Sequence, residues 1–336
     1  MEIAKPYLLF LGDVADQLAA KTALGIVDWR PEWCIGQHRL PGCKADCRIP
    51  DLTIAEAAAK GVKTMIVGVV NAGGVLPDHW VSAIVDALNA GMSVATGLHK
   101  RLGSIPAIAE AAAKNGGQLH DVRFSDMNFA TGKGKKRAGL RLLTVGTDCS
   151  VGKKYTALAM EKGLREAGFN ADFRATGQTG VFISGRGLAI DAVIADFIAG
   201  AAEWLTPEND PKHWDVVEGQ GSLFHPSFAG VTLGLMHGAQ PDAFIVCHEP
   251  TRTKMRGVEH ALPTIGQVID LTIANGKLTN PNIQCIGIAI NTEHLDEAAA
   301  HAILTATATE YGLACVDPIR TGVKPLVAEI EKRFGR

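Results

Sequence analysis

Short runs of consecutive apolar residues alternate with Ala-rich stretches of helical period along this chain, beginning with Tyr-Leu-Leu-Phe-Leu at 7–11. That run is closed by Gly12-Asp13 and predicts a strand buried on both faces, where apolar residues need not alternate with polar ones. Helices are expected over 14–22 and 53–60, the second opened by Thr53 and Glu56 at the spacing of a capping box. Residues 64–70 read as a strand, 78–89 as an amphipathic helix, 93–96 as a strand and 105–114 as a helix. Strands and helices taking turns in this way imply a mostly parallel sheet covered on both faces. Residues 29–51 break the rhythm. Rich in Cys, Arg, Pro and Gly and without a clear period, they are expected as a long loop, a candidate wall of a site.

The pattern lapses again at 130–139 (ATGKGKKRAG), where Gly and Lys dominate. This reads as a solvated linker, 131–139, between a first domain, 1–130, and a second, 140–336; a phosphate-attracting basic patch is the alternative. Strands are then expected at 140–145, 169–174, 215–217, 243–247, 283–290 and 314–317, with helices at 153–167, 189–199, 264–275 and 295–311. No internal repeat is visible. The fold class is α/β, two such domains in tandem.

Composition narrows the partners. The 336 residues are 47% hydrophobic and 20% charged with a formal charge of −2, which excludes a disordered chain, a disulfide mini-protein and a strongly basic nucleic-acid binder. No window approaches 18 uninterrupted apolar residues, so no membrane span is expected, and the first apolar run is too short for a signal-peptide core. Seven cysteines, an odd number scattered from Cys34 to Cys315, suit reduced thiols and a cytoplasmic location.

The motif richest in chemistry is Leu142-Leu143-Thr144-Val145-Gly146-Thr147-Asp148-Cys149-Ser150-Val151-Gly152-Lys153-Lys154-Tyr155-Thr156. An apolar strand enters a Gly-bounded loop that ends in Gly-Lys and opens a helix. Backbone N–H groups, the helix N-terminus and a lysine ammonium there form a cradle for phosphate. Two details depart from an ordinary nucleotide loop. Five residues separate Gly146 from Gly152, and Lys154 stands where NTPases carry the hydroxyl that binds Mg²⁺. A second ammonium repels Mg²⁺ and favours a phosphorylated ligand bound without metal. Thr156, two positions on, does not point the same way round the helix.

The spacing Gly-Thr-Asp-x-x-Val-Gly-Lys resembles the loop of dethiobiotin synthetase, and Asp215-Val216-Val217-Glu218-Gly219-Gln220-Gly221 ends a strand in an acidic residue and a Gly-rich turn. In that superfamily the glutamate faces the phosphate end of the site; a structural carboxylate capping the turn is the alternative. The whole chain resembles the D-glutamate N-acetyltransferase family, through LPGCKADC, NAGGV and GLHKRLG in the first half and GTDCSVGKK, ATGQTG, VEGQGSL and CHEPTR in the second. The resemblance implies a Rossmann-like N-terminal domain, a P-loop C-terminal domain, and transfer of acetyl from acetyl-CoA to the amine of D-glutamate in D-amino-acid catabolism; the doubly basic loop with Lys154 adds the expectation that no metal takes part. A Mg-ATP-dependent ligase or kinase, with Glu218 as a metal ligand, is the competing expectation, followed by a non-catalytic CoA or nucleotide sensor.

Acetyl-CoA carries a pyrophosphate and a 3′-phosphate, so Gly146, Thr147, Cys149, Ser150, Val151, Gly152, Lys154 and Tyr155 are its expected binding residues. Amine attack on the thioester needs a base and donors for the developing oxyanion. Glu218, Asp148, His225 and Glu249 are candidate bases, with Glu218 first, while Lys153, Lys154 or loop N–H groups serve the oxyanion. His225 and His248 each follow a probable strand end, where α/β sites form. D-Glutamate's two carboxylates call for paired cations. Arg252, Lys254 and Arg256 form one cluster, and Arg174 leads into the Gly-rich run holding Gln178. Arg30, Arg39 and Lys44 lie in the long N-terminal stretch, and Asn71 in Asn-Ala-Gly-Gly after a strand. Cys43, Cys47 and His38 give three soft donors at an unusual spacing, so no metal is expected. Cys149 at a helix N-terminus allows a covalent acetyl-cysteine as an alternative to simple packing. No Gly-x-Gly-x-x-Gly follows the first strand, so NAD is not expected. A homodimer, paired through the Ala-rich first domain, is the expected assembly.

Overall fold

The computed structural model describes residues 2–69, 76–124 and 127–335. The chain divides into two compact units, one of Met1–Asp126 with Gly177–Ala192 and one of Met127–Thr176 with Val193–Arg336.

In the first unit, β1 (Tyr7–Gly12), β2 (Cys34–Arg39), β3 (Thr64–Val67), β4 (Ser93–Thr96) and β5 (Leu119–Asp121) form a parallel sheet of order β2-β1-β3-β4-β5. Every residue of β1 is buried, and each fully buried aliphatic side chain contributes about 1.5–3 kcal/mol. Helices α2 (Ile54–Ala59), α3 (Val81–Asn89) and α4 (Pro106–Asn115) fall where the pattern placed them, α2 opened by the Thr53–Glu56 capping box.

Two local expectations are corrected. The helix expected at 14–22 is α1, Lys21–Trp29; Asp16 Oδ1 accepts from Ala19 N at 2.8 Å and builds a 3-10 turn first. Residues 29–51 are not one long loop, because β2 runs through them as an edge strand with only its two middle residues buried, a pattern without a clear period. The segment after β2 is tied down by Gln37, which donates to Asp46 Oδ1 and accepts from Cys47 N, both at 2.8 Å. The Gly-rich run at 175–180 also enters a helix, α6 (Gln178–Ser184), which belongs to the first unit. Thr22 and Thr179 hydroxyls meet there at 3.3 Å, and Ile3 N donates to Gly185 O at 2.9 Å.

In the second unit the strands are β6 (Leu140–Gly146), β7 (Ala171–Arg174), β8 (Trp214–Val217), β9 (Ala243–His248), β10 (Gln284–Ile290) and β11 (Cys315–Val316). They pair in parallel in the order β11-β10-β9-β6-β8-β7. The chain lays β7 and β8 on one side of β6, then crosses to build β9, β10 and β11 on the other. The carboxyl end of β6 is thus a topological switch point, where α/β sheets bind ligands. Helices α5 (Lys153–Glu166), α9 (Ile265–Gly276) and α10 (Glu297–Tyr311) match expectation closely, α9 with a Thr264–Gln267 capping box. The helix expected at 189–199 is α7, Ile198–Leu205, since the chain changes unit between Ala192 and Val193. Helices α8 (Ala229–Ala239) and α11 (Lys324–Phe334) complete this unit's described helices.

The Lys-rich segment before β6 is bound to the second unit. Arg137 donates to Thr206 O at 2.9 Å and Gly238 O at 2.8 Å, and Lys136 meets Asp242 at 3.0 Å. Arg141 is fully buried and donates to the carbonyls of Arg137, Ala138 and Pro207 at 3.0 Å. These carbonyls replace the water its guanidinium loses. No described helix is long and apolar enough to cross a membrane, and the seven cysteines are free thiols.

Candidate functional site

The loop from Thr147 to Gly152 joins β6 to α5 at the switch point. Its shape depends on residues outside the L-amino-acid norm: Ser150 sits at φ +55° and Gly152 at φ +100°. Among the described residues, none accepts a hydrogen bond from the N–H groups of Cys149, Ser150 and Gly152. Free backbone donors at a helix N-terminus are what an anion requires.

Lys153, the first residue of α5, is buried, and its Nζ donates to Asp148 O at 2.8 Å. Burial pulls its pKa down, and the nearby charges of Cys247, Cys149, Asp148 and Glu218 only partly offset this. An anion beside it would favour the charged form of this ammonium. Lys154 lies beside Tyr155, its Nζ 4.6 Å from the ring centroid. No Ser or Thr hydroxyl occupies that position, so the loop lacks the Mg²⁺ ligand of a nucleotide-hydrolysing site.

Asp148 is wholly buried within the loop. Its Oδ2 accepts from Arg252 Nη1 and from Arg256 N, each at 2.7 Å. Its Oδ1 is sealed from solvent without a hydrogen-bond partner. Arg252 also donates to Cys149 O at 2.7 Å and to Ser150 O at 3.2 Å, while Arg256 Nη1 meets Ser150 Oγ at 2.6 Å. The segment after β9 therefore clasps the loop through its two arginines. Both carbonyls are turned toward the guanidinium of Arg252. Lys254, the third cation of that cluster, instead pairs with Glu259.

Glu218 follows β8 and is buried; its Oε2 accepts from Thr176 N at 3.0 Å, and its carbonyl accepts from the Thr176 hydroxyl. The next residue cannot carry a side chain, because a Cβ on Gly219 stands 1.6 Å from Thr144 O. That approach seats the Glu218 turn against β6, where Gly219 N donates to Thr144 Oγ1 at 3.0 Å. Ser222 Oγ reaches Thr147 O at 3.3 Å, so the same turn braces the phosphate loop.

His248 ends β9. Gly146 pairs with Cys247 across β6 and β9, and one residue on, His248 Nδ1 lies 3.0 Å from Thr147 Oγ1. Burial lowers its pKa, against the raising effect of Glu249, with Arg252 lowering it further. His225 has both ring nitrogens engaged, Nε2 with Arg256 O at 3.0 Å and Nδ1 with Ser227 N at 3.2 Å. Glu249 accepts from Thr251 N at 2.8 Å and Thr251 Oγ1 at 2.6 Å.

Among the described residues, one group of three has donor atoms close enough to hold a metal: Asp148, Cys149 and His225, within 4.8 Å of one another. The donor set fits poorly. Asp148 is neutralised by Arg252, His225 has no uncommitted nitrogen, and burial, the largest influence, raises the Cys149 thiol pKa. The same rise disfavours the thiolate that an acetyl-cysteine intermediate needs. His38 Nδ1 bonds Leu52 O at 2.8 Å, away from the Cys43–Cys47 pair considered as zinc ligands.

Arg174 pairs with Asp215 at 2.7 Å on neighbouring strands. Arg30 and Gln178 belong to the first unit, Arg30 bonding Trp29 O at 2.8 Å and Gln178 opening α6. Asn71 lies outside the described residues. Sequence reasoning placed Arg252 at the substrate and missed its clasp on the loop, because a guanidinium's partner is fixed only by the tertiary fold.

Residues 128–327 match a P-loop domain and residues 38–125 a Rossmann-like domain, both described as the C- and N-terminal domains of unknown function of DUF1611 proteins. A protein from Pseudoalteromonas named D-glutamate N-acetyltransferase is 49% identical over 98% of this chain and all of its own length. Another of that name, from Tritonibacter scottomollicae, is 50% identical over 97% of this chain and 98% of its own. The crystal structure of a DUF1611 family protein from Anabaena variabilis superposes with a TM-score of 0.86 at 30% identity, covering 98% of this chain and all of that one.

Proposed function

We propose, from the premise that this chain belongs to the DUF1611 family, that it is an N-acetyltransferase moving acetyl from acetyl-CoA to the amine of D-glutamate. The observation that carries this is identity of about half the residues, over nearly the full length, with two proteins named for that activity.

The site supports the proposal. The phosphate groups of CoA lie in the loop from Gly146 to Tyr155, against the free N–H groups of Cys149, Ser150 and Gly152 and the ammonium groups of Lys153 and Lys154. Thr147 and Val151 shape the loop around them. A thioester is already activated, so no nucleotide is consumed, and two lysines do the work of charge neutralisation that Mg²⁺ does in NTPases. Arg252 and Arg256 hold the loop open for the anion. Glu218 keeps the adjoining turn in register with Thr176. The attack is direct, amine nitrogen on thioester carbonyl, without an acyl-enzyme.

Incubation of the purified protein with acetyl-CoA and D-glutamate, followed by mass spectrometry, tests this. N-acetyl-D-glutamate is the expected product; CoA consumption or product formation that fails to exceed the protein-free control overturns the assignment.

A further inference from the structure

Given the acetyl-CoA reading proposed above, the phosphate loop faces a donor with two kinds of phosphate. In the pyrophosphate each phosphorus bears one charge. The ribose 3′-phosphate is a monoester and carries about −1.5 to −2 at neutral pH. The free N–H groups of Cys149, Ser150 and Gly152, with the buried Lys153, make one cradle. A second, more strongly charged group on the adjoining ribose needs a cation of its own at the rim of that cradle.

The segment after β9 brings three cations to the loop, and two are spent. Arg252 lies between Asp148 at 2.7 Å and Glu249 at 3.7 Å, and Lys254 pairs with Glu259. The guanidinium of Arg256 is exposed, and among the described residues it pairs with no carboxylate. Its one hydrogen bond runs from Nη1 to Ser150 Oγ at 2.6 Å. Ser150 is itself exposed, beside the buried Val151, and its backbone stands at φ +55°. The guanidinium therefore rests on the rim of the cradle with Nε and Nη2 uncommitted.

The backbone of Arg256 is fixed while its side chain is held by that single contact. Arg256 N donates to Asp148 Oδ2 at 2.7 Å, and His225 Nε2 donates to Arg256 O at 3.0 Å. The preceding Met255 is buried and its N–H donates to His260 O at 2.8 Å, while Lys254 and Ala261 pair in antiparallel fashion. The chain turns back just after Arg256, at Gly257 with φ +77°. A long side chain on so fixed a base can exchange the Ser150 hydroxyl for a phosphate oxygen without moving the loop. The exchange replaces a bond to a neutral acceptor by a charge-assisted one, and the planar fork of a guanidinium matches the terminal oxygens of a monoester.

We propose that Arg256 reads the 3′-phosphate of CoA, turning from Ser150 Oγ to the monoester, and so selects CoA over its 3′-dephospho form. The ribose follows the pyrophosphate directly, which brings its phosphate to the rim of the loop that cradles the pyrophosphate.

Calorimetry with CoA and with 3′-dephospho-CoA tests this on wild type, Arg256→Met and Arg256→Lys. Wild type is expected to bind CoA at least about tenfold more tightly, the worth of a charge-assisted contact, and this comparison needs no variant to fold. Arg256→Met is expected to lose about that factor for CoA while holding 3′-dephospho-CoA within about threefold, and Arg256→Lys, which keeps the charge without the fork, to fall between. Equal affinity of wild type for the two ligands overturns the assignment. So does an Arg256→Met protein that binds both more weakly by the same factor, as a mere brace of the loop requires, or one that keeps the preference and shows only a raised KM for D-glutamate. Wild type that binds neither ligand overturns the acetyl-CoA reading and this assignment together. Preference for CoA without transfer to D-glutamate supports this assignment and overturns the proposed acceptor.

Discussion

Arg252 and Asp148 meet inside the phosphate loop, with Nη1 lying 2.7 Å from the fully buried carboxylate and equally close to Cys149 O. Removing one partner of a buried pair leaves an uncompensated charge and costs roughly 3–5 kcal/mol. Arg252→Met is therefore expected to lower the melting temperature by roughly 6–20 °C, at about 2–4 °C per kcal/mol for a unit of this size. Adding Asp148→Asn is expected to recover part of that loss, because the two changes are coupled. Thermal unfolding of the single and double variants checks both; an Arg252→Met protein melting within about 2 °C of wild type contradicts the clasp.

Lys153 and Lys154 differ in exposure, and their substitutions separate anion binding from nucleotide chemistry. Lys153→Met removes the buried ammonium and is expected to weaken acetyl-CoA binding at least tenfold, the size of a lost charge-assisted contact, about 1.5–3 kcal/mol. Lys154→Thr restores the hydroxyl of an NTPase loop. It is expected to weaken acetyl-CoA binding while creating no ATP hydrolysis. Calorimetry with acetyl-CoA and phosphate release with Mg-ATP check the pair, and a gain of ATPase activity contradicts the metal-free assignment.

Gly219 and Gly168 make a matched comparison. A Cβ at Gly219 collides with Thr144 O at 1.6 Å, whereas at Gly168 nothing lies within 4 Å and only φ +88° resists a side chain. Gly168→Ala is expected to cost about 1 kcal/mol and leave binding intact. Gly219→Ala is expected to displace the Glu218 turn, lowering both stability and acetyl-CoA affinity. Equal melting temperatures for the two variants contradict the close approach.

Asp317 gives a pH dependence of known sign. Burial raises its pKa, but hydrogen bonds from the Thr292 hydroxyl and from the N–H groups of Arg320, Thr292 and Ile319 outweigh it, so the folded value lies below the ordinary one. A depressed carboxylate stabilises the fold above its unfolded pKa, and that stabilisation disappears as pH falls through the folded value. Asp317→Asn is therefore expected to be less stable than wild type at pH 7, with the gap closing below about pH 4. Urea unfolding at both pH values checks this; a gap that persists in acid contradicts it.

The β6–loop–α5 unit was legible because everything that makes it is local: an apolar strand, two bounding glycines, and a lysine at a helix start. The alternation of strands and helices gave both parallel sheets for the same reason. What escaped was set by distant contacts. The strand β2 lies at a sheet edge with only its two central residues buried, so it carries no clean period. The helix α6 joins the first unit through Thr22 and Thr179, 157 residues apart, a contact no local pattern announces. At the site, the sequence offered Glu218 and Asp148 as bases by their proximity to the loop. Their hydrogen bonds to Thr176 and Arg252 could be seen only in the fold. His248 had a local signal, a histidine at the end of a strand, but its contact with Thr147 on the neighbouring strand's loop could be seen only in the fold.

The most direct measurement is release of free thiol from acetyl-CoA by the purified protein, in EDTA and without ATP, with D-glutamate or L-glutamate as acceptor. Thiol release with the D-enantiomer alone is the expected result and establishes metal-free acetyl transfer. Silence with both enantiomers in EDTA, together with phosphate release once Mg-ATP is added, contradicts the acetyltransferase assignment.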